Sequence, residues 1–239
     1  MSAGESTITT FTASTDVGTS GTSVPIAPHF NTLSGDLIVC WLYTTGVDPT
    51  LTVDAGDGWR QVCGGYSGSY GLALFVLNAR RASNGGYAGL TLAAGVTGFR
   101  AVTQVFRCSS PFRLDASQAV GSPDWYQSAA SSVTSSAPET STPYAQCLDV
   151  VCRAYNSAGG ATTSGTISGF TESNDGTGAA PNIGGSINWQ LLAGHQVLPL
   201  VSSSLSVART DHAGLRVVVP LVGNTLGQYG RYLSGRRIA

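Results

Sequence analysis

The most apolar stretch of the sequence, Asp36-Leu37-Ile38-Val39-Cys40-Trp41-Leu42-Tyr43, constrains the fold more than any other segment. Its length and its β-branched and aromatic residues favour a strand that is buried on both faces over a helix. A weaker copy of the same pattern follows at residues 147–155. The two stretches together predict a β-rich chain made of two similar halves.

Other landmarks repeat along the chain at nearly the same spacing. Leu37 and Leu148 are 111 residues apart (148 − 37), and Gly58-Trp59 matches Gly169-Phe170 at the same offset. Two further matches have an offset of 115 residues (205 − 90): Leu90-Thr91-Leu92 with Leu205-Ser206-Val207, and Arg100-Ala101-Val102 with Leu215-Arg216-Val217. The repeat predicts pseudo-repeat halves at about 33–110 and 145–222, followed by a C-terminal tail at 223–239.

The spacing of strand patterns and turns indicates the fold class. Short strand patterns separated by Gly- and Asn-rich turns, at intervals of about 8–12 residues, are typical of a β-sandwich. Two similar halves favour a jelly roll, which is two Greek keys folded together. No segment keeps an apolar period of 3.6 residues, so helices should be few and short. We predict an all-β, antiparallel, jelly-roll-like sandwich forming one domain over residues 1–239, with two tandem sandwiches as the alternative.

Composition restricts the class of partner. Charged residues are only 10% of the chain, the net charge is −1, and all twelve basic residues are Arg. The Arg residues form no basic stripe of the kind that nucleic-acid binders carry. A weakly charged surface rich in Ser and Thr is compatible with close-packed assemblies. Since no window reaches about 18 apolar residues and the N-terminus has no secretory pattern, we expect no nucleic-acid or membrane partner and synthesis in a cytoplasm.

The titratable residues form no recognisable catalytic pattern. Asp211-His212 is the only acid adjacent to a His, and neighbouring strand residues point to opposite faces. No G-x-S-x-G nucleophile elbow occurs. Asp54 and Asp57 fit a turn better than a Ca²⁺ loop, and the five Cys include no C-x-x-C pair. We therefore expect no enzyme activity, no metal and no cofactor.

Aromatic and basic residues provide a candidate contact surface. Tyr66 and Tyr70 lie in an expected loop of Gly, Ser and Tyr from residue 64 to 71, and Trp125-Tyr126 stands in the Ser-rich segment 111–144. These rings are candidates for a platform on which sugars stack, or for packing on a neighbouring subunit or on the end of the domain itself. Three Arg of the tail are candidates for binding an acidic partner surface, or else belong to a solvated terminus: Arg231, Arg236 and Arg237.

Four motifs in succession resemble β-sandwich virion proteins of tailed bacteriophages. They are Gly35-Asp36-Leu37-Ile38-Val39, Gly58-Trp59, the strand Leu74–Asn78 with Ala79-Arg80-Arg81-Ala82, and Ala101-Val102-Thr103-Gln104-Val105-Phe106-Arg107. In that family a GDLLV strand, a GW turn, an Arg-Arg-Ala-like element and an A-x-x-x-x-(Y/F)-R strand recur in this order. The second half continues the likeness, which covers about 33–222. The missing Lys and the five Cys depart from the pattern and leave open whether disulfides link subunits.

The resemblance implies a structural or adhesive role in a virus particle, with no catalytic residues to transfer. We expect a non-enzymatic component of a tailed bacteriophage virion, such as a capsid decoration, collar or tail protein. It would bind other virion proteins and further copies of itself in the particle. The alternative is an adhesion module that binds a glycan on a host surface.

Overall fold

The computed structural model describes fourteen segments of the chain: residues 6–18, 20–24, 31–46, 59–67, 70–78, 90–113, 118–119, 124–126, 130–135, 146–156, 167–176, 183–193, 201–209 and 212–221. These residues form strands and short connections, and no helix occurs among them. Every strand pair is antiparallel. The prediction of an all-β antiparallel fold is confirmed.

The described residues form fifteen strands. Those of the first half are β1 (Ile8–Gly18), β2 (Gly21–Val24), β3 (Leu37–Thr45), β4 (Arg60–Ser67), β5 (Tyr70–Asn78), β6 (Leu90–Val96) and β7 (Gly98–Cys108). Those of the second half are β8 (Gln118–Ala119), β9 (Asp124–Tyr126), β10 (Ala130–Ser135), β11 (Gln146–Asn156), β12 (Thr171–Gly176), β13 (Ile183–Ala193), β14 (Val201–Arg209) and β15 (His212–Pro220).

Each half builds one large sheet and one two-stranded ribbon. Sheet I has the order β1-β7-β3-β5-β4, and ribbon I pairs β2 with β6. Sheet II has the order β12-β13-β11-β15-β8, with β9 also paired to β15, and ribbon II pairs β10 with β14. Read from its other edge, sheet II has the order β8-β15-β11-β13-β12. Each of these strands is the counterpart of the strand at the same position in sheet I, and β8 and β9 together take the place of β1. The two halves are therefore similar in strand order, as predicted. The repeated strands also include β1 and β2, which precede residue 33, and β8, β9 and β10, which precede residue 145.

The repeat extends to the irregularities of the strands. The register of β4 passes from Gln61 opposite Phe75 to Cys63 opposite Leu74, and β12 makes the same one-residue bulge between Glu172 and Asn174. Each ribbon also contains a larger irregularity, in which one residue of the shorter strand lies opposite four of the longer strand. In ribbon I, residue 22 lies opposite residues 92–95, and in ribbon II, residue 131 lies opposite residues 205–208. Bulges of this kind are built features of a fold rather than accidents of one strand. Their recurrence indicates that one structural unit occurs twice, while the jelly-roll assignment stays a prediction.

The two large sheets pack face to face and share one core. Alternate side chains of β3 and β11 form its centre, in a single buried cluster of both sheets: Leu37, Val39, Trp41, Tyr43, Leu148, Val150, Cys152 and Ala154. On either side of this centre, β7 contacts β13 and β5 contacts β15, while β1 contacts β12 and β4 contacts β8. Each contact is matched by one between equivalent strands, as in the self-complementary interface of a two-fold dimer.

The outer face of each large sheet is covered by its ribbon. The other set of β3 side chains, Ile38, Cys40 and Leu42, lies in a second buried cluster with Val24 and Leu90 of ribbon I. Strand β3 is therefore buried on both faces from Leu37 to Thr44, as its sequence predicts. The body thus has four layers, with ribbon I and ribbon II outermost.

The Trp41 ring extends from sheet I across the core to β13, where two glycines, Gly184 and Gly185, follow each other. A Cβ atom added at Gly185 would lie 2.6 Å from Cζ2 of Trp41 and in conflict with the backbone carbonyl oxygen of Arg153. On the other face of β13, a Cβ atom at Gly184 would collide with the Tyr155 ring. Only residues without a side chain leave room for aromatic rings on both faces of this strand.

Gly185→Ala is expected to destabilise the protein by at least about 2 kcal/mol, because the added methyl group overpacks against both a ring and a backbone atom. Urea unfolding followed by tryptophan fluorescence measures the change. Gly95→Ala is the matched control, since its new Cβ atom would meet nothing closer than 4.0 Å. Equal midpoints for the two variants would contradict the close approach of Trp41.

Candidate functional site

Tyr70, one residue of the candidate contact surface, lies at one end of the sandwich, which we call the aromatic end and define by Tyr43, Tyr70, Arg100 and Asn156. The ring centroids of Tyr43 and Tyr70 lie 5.6 Å apart. Asn156 Nδ2 of sheet II donates a 2.9 Å hydrogen bond to the hydroxyl oxygen of Tyr70 in sheet I. Arg100 Nη1 donates a 2.6 Å bond to the carbonyl oxygen of Ile183. The aromatic end is therefore fixed by bonds between the halves.

The backbone of β9 reaches the same end. Tyr126 lies opposite His212 and Trp125 opposite Ala213, while His212 also pairs with Tyr155, the neighbour of Asn156. The structure thus brings the strand positions of Tyr70, Trp125 and Tyr126 to one end of the sandwich. The side chains of Trp125 and Tyr126 lie outside the described part of the chain.

Tyr66 is placed differently from Tyr70. The expected loop over residues 64–71 is wrong, because β4 runs to Ser67 and β5 begins at Tyr70. Tyr66 pairs with Gly71 and Ser67 with Tyr70, and successive strand residues alternate between faces. The two Tyr therefore occupy positions on opposite faces of sheet I. The small and hydroxyl-bearing residues of the segment 64–71 suggested a loop. Pairing of β4 with the apolar strand β5 overrides that local preference.

The remaining candidates lie outside the described residues. These are the tail residues Arg231, Arg236 and Arg237 and the turn residues Asp54 and Asp57. Their proposed roles stay predictions.

Two motifs of the phage resemblance meet at a corner at the start of β3. The Asp36 carboxylate accepts hydrogen bonds from Arg107 Nε at 2.9 Å and Nη2 at 2.8 Å, and a third from the Leu33 backbone N–H at 2.7 Å. Arg107 also donates to the carbonyl oxygen of Asn31 and lies 4.7 Å from the centroid of the Phe11 ring. The Asp of the first motif and the Arg of the last therefore hold the entry of the central strand.

The electrostatics of this corner favour the charged pair. The hydrogen bond with Asp36 raises the pKa of Arg107, with a Coulomb contribution from the same carboxylate, against a smaller opposing effect of burial. A raised pKa means that this contribution to stability is lost only when the pH rises through the folded-state value, which for Arg is far above neutrality. Stability from the guanidinium is therefore independent of pH in the physiological range.

A second Asp–Arg pair lies on the outer face of sheet II. Asp149 accepts bonds from Arg216 Nε at 2.8 Å and Nη2 at 2.7 Å, and from Gln190 Nε2 at 2.8 Å. The side chains of Asp149 and Arg216 are fully buried. Arg153, Ser186 and Asn188 are also buried and occupy positions on this face. We call the six residues the charged layer.

The charged layer was not predicted from the sequence, although a signal was present. Asp149 and Arg216 each stand inside an apolar strand pattern, and a charge buried in such a strand needs a partner. Alternation along β11 and β15 places both on faces away from the core, but it does not show that these two strands are neighbours. In the sheet, Arg216 pairs with Val151, which lies two residues from Asp149 on the same face of β11. The side chains of Asp149 and Arg216 are therefore diagonal neighbours.

The described cysteines and acidic residues are dispersed over the fold. Within the described segments, no group of three or more His, Cys, Asp and Glu is placed to hold a metal ion. Four Cys of that part are free thiols: Cys40, Cys108, Cys147 and Cys152. No described helix has the length and apolar character of a membrane span.

Asp36→Ala is expected to lower the free energy of unfolding by about 1.5–3 kcal/mol, because three hydrogen bonds to a carboxylate are lost, two of them from a guanidinium donor. Asp36→Asn should lose less, since its amide oxygen still accepts from the Leu33 N–H. Chemical denaturation of both variants gives the two values. An Asp36→Ala protein as stable as the parent would show that the corner does not hold β3.

Comparison of the chain with protein-family models, with curated proteins and with solved structures finds no significant match.

Proposed function

We propose that the chain is a non-enzymatic structural component of a tailed bacteriophage virion, acting as a capsid decoration, collar or tail protein. Its partners are neighbouring virion proteins and further copies of itself. The observation that carries the proposal is the corner between Asp36 and Arg107, where the Gly-Asp-Leu and Phe-Arg motifs of the resemblance form one bonded unit. The contact gives two of the matched motifs a joint structural role, and this supports the proposal.

The form of the body supports a binding role. Both halves of the sandwich are locked together by a shared core, so the protein presents rigid ends and sheet edges. The outer strands β4 and β12 both carry bulges, which discourage edge-to-edge pairing with unselected chains. Contacts with neighbouring subunits would then come from the sandwich ends and the connecting segments, whose sequence is rich in Ser and Thr.

Immunogold labelling of density-gradient-purified particles, with antibody raised against the recombinant chain, tests this function. We expect gold at regular positions on intact particles and the chain among the proteins of those particles by mass spectrometry. Particles from a phage that lacks the gene are the control. Recovery of the chain only from the unassembled soluble fraction would contradict the proposal.

A glycan-binding adhesion module is the second candidate, and one observation favours it. The backbone places Trp125 and Tyr126 at the end of the sandwich that Tyr70 occupies, and aromatic residues gathered at one end suit stacking on sugar rings. A glycan array tests the idea with the parent protein and Trp125→Ala. Trp189→Ala, a change in the middle of sheet II, is the control for general damage. Binding that Trp125→Ala abolishes and Trp189→Ala keeps supports an adhesion role, and absence of binding by the parent protein rejects it.

A further inference from the structure

We infer that the shared core holds an internal water molecule between Gln104 of sheet I and Trp189 of sheet II. The site requires a small neutral ligand that takes a hydrogen bond from an indole N–H and gives one to an amide oxygen. The inference concerns the chain itself and does not depend on the proposed function.

Two polar atoms of the core have no hydrogen-bond partner among the described residues. Gln104 is fully buried, and its Oε1 atom accepts no bond from them. Its Nε2 atom donates to the carbonyl oxygens of Phe11 at 2.9 Å and Val105 at 3.2 Å, so a reversed amide would bring its oxygen against both carbonyl oxygens. In sheet II, the buried Nε1 atom of Trp189 likewise donates to no described residue. Buried polar atoms of this kind are usually satisfied by protein groups or by ordered water.

Strand alignment places Gln104 next to Trp189 across the core. Three contacts share a spacing of 83 residues (183 − 100): Arg100 with Ile183, Phe106 with Trp189, and Trp41, which pairs with Val102, with Gly185. By the same spacing, Gln104 lies opposite Ile187, two residues before Trp189 on the same face of β13. Gln104 also precedes Phe106 by two residues on one face of β7, and the Phe106 ring packs against that of Trp189. The unpaired acceptor and the unpaired donor therefore belong to one corner of the core.

Both edge strands are irregular at the level of this corner. Strand β1 carries a bulge directly after Thr12, which pairs with Gln104. Strand β12 carries one directly before Asn174, which pairs with Ile187. The two strands contact each other along this side of the sandwich. Since a bulge bends its strand and interrupts the ladder, the edges depart from regular pairing at the level where we place the water.

The equivalent corner on the other side of the core is apolar. Strand pairing makes Val76 the counterpart of Trp189, and Val217 the counterpart of Gln104. Both valines lie in the shared core, on the side where β5 contacts β15. The strands have the same arrangement on the two sides, yet one side carries a donor and an acceptor where the other is filled by two valines. Packing alone therefore does not account for the polar pair.

Water fits the chemistry of the corner. One molecule can accept from the indole N–H of Trp189 and donate to Oε1 of Gln104. A buried water makes about three hydrogen bonds, and the half-buried Thr10, which pairs with Phe106, offers a hydroxyl group as the third partner. A cation would be repelled by the N–H group and an anion by the amide oxygen, so the pair selects a neutral molecule.

NMR of the full chain with isotope-labelled tryptophan tests the inference. In a rotating-frame experiment, a bound water gives the Trp189 indole proton a cross-peak at the water frequency that is opposite in sign to the diagonal, whereas proton exchange gives the same sign. The signal of Trp189 is identified by its loss in Trp189→Phe. We expect the cross-peak of opposite sign in the parent protein. Its absence there would overturn the inference.

Two matched variants show whether Gln104 holds the water. Gln104→Val introduces the residue of the equivalent position 217 and should abolish the cross-peak of Trp189. Thr103→Val is the control, because Thr103 also has a buried side-chain oxygen without a described partner but pairs with Cys40 on the face under ribbon I. This variant should keep the cross-peak. A folded Gln104→Val protein, verified by circular dichroism, that keeps it would contradict the site. If Gln104→Val does not fold, the parent measurement decides alone.

Discussion

Asp149→Ala is expected to lower the free energy of unfolding by about 3–5 kcal/mol, because it leaves the Arg216 guanidinium buried without its carboxylate. Both side chains of the pair are completely inaccessible to solvent. The loss should therefore exceed that of Asp36→Ala, whose partner Arg107 keeps a side-chain exposure of 33% and can be hydrated once the carboxylate is gone. Urea unfolding of both variants in one buffer measures the difference.

The triple variant Asp149→Ile, Gln190→Leu and Arg216→Thr removes both members of the buried ion pair. It therefore distinguishes the stability lost when the Asp149–Arg216 pair is broken from the net stability that the intact pair contributes. Replacement of a buried ion pair by apolar residues is often neutral or stabilising, by about 1–4 kcal/mol. The triple variant should thus be clearly more stable than Asp149→Ala. If both lost the same stability, the charged layer would contribute more to stability than its desolvation costs.

Trp41→Ala is expected to cost about 3–5 kcal/mol, the usual range for removal of a large buried aromatic side chain. Trp41 is fully buried and reaches from sheet I to Gly185 of sheet II, so its loss opens a cavity in the core that both halves share. Trp189→Ala is the control, since that ring is only partly buried and packs edge-on against Phe106 with centroids 5.8 Å apart. A smaller effect of Trp41→Ala than of Trp189→Ala would contradict the central position of Trp41.

The sequence was sufficient for the class of fold because burial on both faces leaves a direct trace in residue type. The runs at β3 and β11 are apolar at both alternating sets of positions, apart from the charges of β11. The offset of 111 residues also holds in the structure, since Glu172 occupies in β12 the place of Gln61 in β4. Hydrophobic pattern and turn residues carry this information without knowledge of pairing.

The other offset was in error by two residues. Register places Leu205 in the position of Leu92, and Leu215 in that of Val102, whereas the sequence match joined Leu92 to Val207 and Val102 to Val217. A shift by two keeps every side chain on the same face of the sheet, so alternation does not detect it. Only hydrogen-bonded neighbours fix the alignment.

The candidate site was less predictable than the fold. The bond between Tyr70 and Asn156 joins residues 86 positions apart in sequence, and Asp149 and Arg216 are 67 apart. Such contacts depend on strand order, which single strands do not encode. Strands β8, β9 and β10 were also hard to recognise in the sequence, because their segment is rich in Ser, Ala and Thr. These strands form by pairing with β14 and β15, which are distant in sequence.

The central claim is that two copies of one β unit share a single core and act as one rigid body. Differential scanning calorimetry of the full chain tests it most directly. A shared core predicts one transition, with a calorimetric enthalpy equal to the van't Hoff enthalpy, that moves as a whole to lower temperature in Trp41→Ala. Two resolved transitions, of which Trp41→Ala shifts only one, would contradict it.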